Sequence, residues 1–183
     1  MPQLSRLRRE ETVLLVIDVQ EKLLPVMLEA ERVARNCALL ITAARRLDLP
    51  VIVTEQYPAR LGATVGPLRE ALGEFTPIEK LRFSALVPPV QALLEGSGRR
   101  TILLAGIEGH VCVLQTALDL LEAGYTVFGA SDAISSRQAW NRASGWERMR
   151  SAGAVPASTE SAIFELLGEA GTPDFKALQP LIK

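Results

Sequence analysis

Two apolar patterns alternate along the chain. Short unbroken runs of β-branched and aliphatic residues predict strands buried on both faces, and longer stretches with apolar residues every three or four positions predict helices lying against them. Thr12–Ile17 is a run of the first kind and ends at Asp18. Val51–Thr54, Thr101–Ala105, Tyr125–Ala130 (ending at Ser131-Asp132) and a short Ala154–Ala157 follow. Between them, Glu29–Leu47 sets Val33, Cys37, Leu40, Ile41 and Ala44 at helical intervals and stops before Pro50. Val113, Ala117, Leu120 and Leu121 repeat the same spacing up to Gly124. Pro88-Pro89 opens a short helix through Leu94, and Ser135–Ala152 reads as helical and polar on one face. Ser158, with Glu160 in the first turn, caps Ala162–Leu167, and a last helix lies around Phe175–Ile182. Glu55 to Gly66 reads as a loop at the sheet edge, and Phe75–Ser84 is undecided, with Pro77 suited to a strand start. Six strands alternating with helices imply right-handed crossovers and an α/β fold: a three-layer α/β/α arrangement on a six-stranded parallel sheet. At 183 residues and 48% hydrophobic content, a single domain spanning 1–183 is expected.

Charge changes this picture little. Lys and Arg total 20 against 21 for Asp and Glu, so neither nucleic acid nor an anionic membrane is implied as a partner. Local basic clusters at Arg6, Arg8 and Arg9, and across Arg137–Arg150, read as solvated faces. Cys37 and Cys112 are the only cysteines and are expected as reduced thiols. The leader MPQLSRLRREE lacks an apolar core of signal length and no stretch is long enough to span a bilayer, so the expected setting is cytoplasmic.

The candidate chemistry gathers at Thr101–Leu121, where an apolar run, a Gly106-Ile107-Glu108-Gly109 turn and a helical pattern meet at Cys112. In open α/β sheets such a junction lies where ligands bind, and a helix N-terminus favours a thiolate or an oxyanion. Cys112 is thereby either a nucleophile or a small buried hydrophobe, and position alone does not decide. His110, the chain's one histidine, stands two residues away. If Gly109–Val113 begins the helix, the two side chains point about 200° apart, so the base must come from elsewhere. Asp18, at a strand tip, can reach the crevice, and a lysine such as Lys80 could hold its charge and lower the thiol pKa.

The stretches LLVIDVQEKLLP around Asp18, TEQYPARLGAT at Thr54–Thr64, EKLRFSAL around Lys80, AGIEGHVCVLQTALDLLEAGYTVFGASDA at Ala105–Ala133 and SSRQAWNRASGWERMRSAGA at Ser135–Ala154 occur in order along nearly the whole chain. They resemble the isochorismatase-like cysteine hydrolases, and the EQYP and SSR segments look most like the isochorismatase domain-containing branch. The resemblance implies an Asp-Lys-Cys triad at Asp18, Lys80 and Cys112: Asp18 takes the thiol proton, Lys80 orients and charges the site, and Cys112 attacks a carbonyl carbon to give a thioester. It also implies a non-proline cis peptide at Ile107–Glu108, with the backbone N–H groups of Glu108 and Cys112 as the oxyanion hole. Gln20, Gln56, Tyr57 and Phe83 fall in matching segments as candidate pocket residues. The chain departs from the nicotinamidase members, whose metal site uses an aspartate and several histidines in the loop after the second strand. Here that loop reads EQYPARLGAT, so no metal site and no cofactor are expected. Members that hydrolyse the isochorismate vinyl ether work without the cysteine, so acyl chemistry on a small-molecule substrate, most simply an amide, is the better reading. The alternatives are a catalytically silent scaffold and a thiol redox sensor. Family likeness, with Trp140 and Trp146 in an otherwise polar helix, further implies a homo-oligomer.

Overall fold

A strand with apolar side chains on both faces needs a helix layer above and below it, and the unbroken apolar runs accordingly pair side by side in one sheet. The computed structural model describes residues 5–182. Its strands are β1 (Thr12–Ile17), β2 (Val51–Gln56), β3 (Ile78–Lys80), β4 (Thr101–Ile107), β5 (Thr126–Ser135) and β6 (Val155–Ala157). They lie in the order β3-β2-β1-β4-β5-β6, with every neighbouring pair parallel. The helices are α1 (Ala30–Arg46), α2 (Pro58–Leu61), α3 (Gly66–Leu72), α4 (Pro88–Ser97), α5 (Cys112–Glu122), α6 (Ala139–Ser151), α7 (Thr159–Leu167) and α8 (Pro173–Ile182), with a 3-10 turn at Leu24–Val26. This is the three-layer α/β/α fold expected from the alternation.

Strand β1 shows why the layers form. Leu14 and Val16 enter one core with Val33, Cys37 and Leu40 of α1, while Val13, Leu15 and Ile17 enter the other with Leu94 of α4 and Val113 of α5. A slip of one residue would exchange the two sets, so burial fixes the register. Helix α1 buries its apolar stripe and carries Arg45 and Arg46 in its last turn, where cations suit the dipole.

Boundaries moved where one residue type serves two purposes. The expected loop from Glu55 to Gly66 instead extends β2 to Gln56 and contains α2, with α3 following. Both helices start with proline in the first turn, a residue that signals turns and helix starts alike. The undecided Phe75–Ser84 contributes only the short edge strand β3. Strand β5 runs on past Ser131-Asp132, because its register shifts opposite Leu104–Gly106 and pairing resumes at Gly106↔Ile134 and Ile107↔Ser135. Consequently α6 starts at Ala139 rather than Ser135. Helix α5 starts at Cys112, leaving Gly109–Val111 as turn.

Candidate active site

The sheet order reverses between β1 and β4. The chain leaves β1 toward β2 on one side and leaves β4 toward β5 on the other, so a crevice opens at the carboxyl ends of this pair. Asp18 follows β1, Cys112 is the first residue of α5, and Lys80 ends β3 and reaches across β2. The fold therefore brings together three residues separated by up to 94 positions in the sequence (112 − 18).

The cluster is closed to solvent. The side chains of Asp18 and Lys80 are both 0% exposed, and Lys80 Nζ lies 2.6 Å from Asp18 Oδ2. Lys80 also donates to Gln56 Oε1 (2.8 Å), the Phe83 carbonyl (3.0 Å) and the Arg82 carbonyl (3.2 Å). Four acceptors for three N–H groups leave the ammonium nothing to offer a substrate, so it acts as a fixed charge. Asp18 Oδ1 accepts from Thr54 Oγ1 at 2.7 Å. The Asp18 carboxylate, the Lys80 ammonium and the Glu108 backbone N–H all lie close enough to act on the Cys112 thiol.

These surroundings set the protonation states. Burial raises the Asp18 carboxyl above its ordinary value against the opposing charge of Lys80. Burial, and then the charge of Asp18, pushes the Cys112 thiol up to about 12, although Lys80 and the Glu108 N–H pull the other way. Cys112 therefore rests as a thiol at neutral pH, and a carboxyl raised from its ordinary value suits a general base.

The turn before Cys112 is braced along its length. At Gly106 φ is +120°, and a Cβ there would fall 2.1 Å from the Ile17 carbonyl oxygen, so only glycine lets β4 end this close to β1. The Ile107–Glu108 peptide is cis. Three successive residues at and just beyond the end of β5 then hold the turn. Ser135 O accepts the Gly109 N–H (2.7 Å), Ser136 Oγ meets His110 Nδ1 (3.0 Å), and Arg137 donates from N and Nε to Glu108 Oε2 (3.2 and 3.1 Å). His110 is thus bound to Ser136, on the turn rather than in the helix.

The candidate pocket residues separate into two kinds. Gln20 is fully buried; its Nε2 donates to the Gln56 and Gly62 carbonyls and its Oε1 accepts the Gln56 N–H, so it braces a loop and presents no surface to a substrate. Gln56 spends its amide on Lys80 and the Leu81 carbonyl. Tyr57 and Phe83 are exposed and line surface cavities of about 390 and 410 Å³ on either side of the Lys80 loop, neither of which Cys112 lines. Two positioning residues had no signal in the sequence. Thr54 reads as an ordinary strand residue, and Thr116 as a helix-interior one. Yet buried Thr116 Oγ1 donates to the Cys112 carbonyl (2.6 Å) and accepts the Ala85 N–H (2.7 Å), tying the segment after Lys80 to the start of α5. Among the described residues, no group of three or more His, Cys, Asp or Glu is placed to hold a metal ion.

A model of the isochorismatase domain matches residues 12–161. The chain is 44% identical over 186 residues to the secreted isochorismatase effector Isc1 of Phytophthora sojae, covering 99% of this chain and 89% of that one. It is 41% identical over 181 residues to isochorismatase domain-containing protein 2A of Mus musculus (98% and 86% covered). Among solved structures, it superposes with a TM-score of 0.92 and 42% identity on a protein described as the MAR1 ribonuclease of Caenorhabditis elegans (97% and 92% covered). It also superposes with a TM-score of 0.86 and 25% identity on the Escherichia coli YcaC gene product, described as an octameric hydrolase of unknown specificity (98% and 97% covered).

Proposed function

This chain belongs to the isochorismatase family, whose fold supports a hydrolase role, and from that premise we propose that it is a cysteine hydrolase of small acyl compounds, cleaving a C–N bond of an amide or ureido group. The observation carrying this reading is the buried contact of Asp18, Lys80 and Cys112 at the point where the strand order reverses. Cys112 Sγ attacks the carbonyl carbon while its proton passes to Asp18. The carbonyl electron pair moves onto oxygen, facing the N–H groups of Glu108 and Cys112 at the start of α5. Collapse of the tetrahedral species expels the amine, which takes the proton from Asp18 and leaves a thioester on Cys112. Water then attacks that thioester, with Asp18 accepting its proton, and collapse breaks the C–S bond to release the acid while Asp18 returns that proton to the Cys112 sulfur. Lys80, held by four acceptors, keeps Asp18 ionised between steps. Tyr57 and Phe83, exposed on either side of the Lys80 loop, are proposed to contact substrate.

The proposal extends to one hydrolase unit over the whole chain, working in the cytoplasm as a homo-oligomer without metal or cofactor. Oligomerisation is supported by exposed Trp140, Leu81 and Phe83 and by the octameric description of YcaC. The decisive experiment incubates the protein with primary amides, ureido acids and activated esters, and follows release of amine or alcohol together with intact mass. Turnover by the wild type, an acyl adduct on Cys112 and none of either with Cys112→Ala are expected. Turnover retained by Cys112→Ala, or lost in EDTA and restored by zinc, contradicts the proposal.

A further inference from the structure

A second concave site lies toward the β6 edge of the sheet and shares no lining residue with the Asp18–Lys80–Cys112 cluster. Its walls include Arg32 from the first turn of α1, Arg142, Trp146 and Arg150 from α6, and Ser131 and Asp132 where β5 bulges outward, around a volume of about 460 Å³. Arg142, Trp146 and Arg150 are four residues apart and so share one face of α6. The charges do not balance. Glu29 is divided between Arg32, which it binds through both oxygens at 2.7 Å, and Arg142. Asp132 Oδ1 is taken by the Thr159 N–H (2.7 Å) and hydroxyl (2.9 Å). Arg150 has no carboxylate partner among the described residues. Arg32 Nε is the one buried side-chain nitrogen or oxygen among them without a hydrogen-bond partner.

We infer that this pocket binds a phosphate group, free or carried on a small organic ester. Glu29 offsets one of the three guanidinium charges gathered from α1 and α6, and the uncompensated Arg150 fork with the spare Arg32 Nε leaves an excess of positive charge and donors that suits an oxyanion with several acceptor oxygens. The volume exceeds that of a phosphate alone and leaves room for a small organic group beside Trp146. The indole itself is held in place, since its six-membered ring lies so close to Gly129 that a Cβ there would come 2.6 Å from it.

The chain has two tryptophans, so Trp140→Phe leaves Trp146 as the sole fluorescent reporter of this pocket. In that background, inorganic phosphate, phenyl phosphate and phenol are titrated at constant ionic strength made up with sodium chloride. Saturable change with a phosphate-bearing probe and none with phenol is expected. Tighter phenyl phosphate assigns the ester, and tighter phosphate assigns the free anion. Arg150→Gln should weaken binding on the order of tenfold or more, the loss expected for a charge-assisted hydrogen bond. Glu29→Gln should tighten it by releasing Arg32 and Arg142, an opposite shift that loss of folding cannot mimic. No saturable change with either phosphate probe, an equal response to phenol, or unchanged affinity in both variants overturns the assignment.

Discussion

Replacing Lys80 with methionine tests the buried charge cluster without knowing the substrate. The substitution roughly keeps the length of the side chain and removes the ammonium, which leaves Asp18 Oδ2, Gln56 Oε1 and two carbonyls without their donor. Because both partners of the ion pair are fully buried, breaking it by removing one should cost about 3–5 kcal/mol. That is a large share of the ~5–15 kcal/mol that holds a typical domain together. With Lys80 gone, burial is opposed only by the weaker influences of Thr54 and Cys112 and lifts the Asp18 carboxyl further above the unfolded value of 3.8. A raised folded value means that the folded chain keeps a proton the unfolded chain has lost. The contribution is therefore complete below 3.8 and disappears as pH rises through the folded value. Urea unfolding of Lys80→Met at acidic and at mildly alkaline pH should show the variant losing stability, relative to wild type, as pH rises. Adding Asp18→Asn should restore roughly 1–3 kcal/mol at the alkaline end, since the uncompensated charge is then gone. A loss under about 1 kcal/mol for Lys80→Met, or no recovery with Asp18→Asn, would falsify the view that these groups form one buried ionic unit.

Gly106→Ala should fail to give soluble folded protein, or lower the urea midpoint severely, because the added Cβ meets the Ile17 carbonyl at 2.1 Å and φ is +120°; a wild-type midpoint would show that the β1–β4 contact is looser than described. Thr116→Val orphans the buried Ala85 N–H and should cost about 1–3 kcal/mol, with Thr116→Ser recovering most of it; equal stability of the two variants would remove Thr116 as a tie. Cys37 is pushed up to about 12 by burial from an ordinary value of 9.0, so its contribution to stability is intact below 9.0 and lost as pH rises through about 12. Across that window the wild type should lose about 1.4 kcal/mol per pH unit more than Cys37→Ala, and parallel curves in alkaline urea titrations would contradict this.

The parts of this protein legible in the sequence are those where burial leaves one choice. Thr12–Ile17 and Thr101–Ile107 are apolar on both faces, so they had to be central strands, and Asp18 and Cys112 followed as residues at strand ends. Lys80 was less legible; the sequence offered it only as a lysine that could hold the charge of Asp18, and family resemblance singled it out, because a lysine near an edge strand has no local mark of burial. Thr54 and Thr116 were hidden for a related reason. Threonine suits a strand interior and fits a helix, and whether its hydroxyl holds a carboxylate or a backbone N–H depends on a partner 36 residues away in one case and 31 in the other. The extension of β5 beyond Asp132 was masked by its polar bulge, yet that extension supplies the Ser135–Arg137 brace of the turn.

Placement at the reversal of strand order has a consequence for the life of the chain as it is made. Everything up to Lys80 supplies the two partners of the buried ion pair, and everything from Thr101 onward supplies the Cys112 sulfur and the turn that precedes it. A ribosome that has released only the first portion has therefore produced a chain with Asp18 and Lys80 and without Cys112. The three come together only when Thr101–Ile107 takes its place beside Thr12–Ile17, register by register from Thr12↔Thr101 to Ile17↔Gly106. Assembly of the cluster is thus a late event in the life of the chain, completed with the central strand pairing, and a chain cut before Thr101 cannot make it.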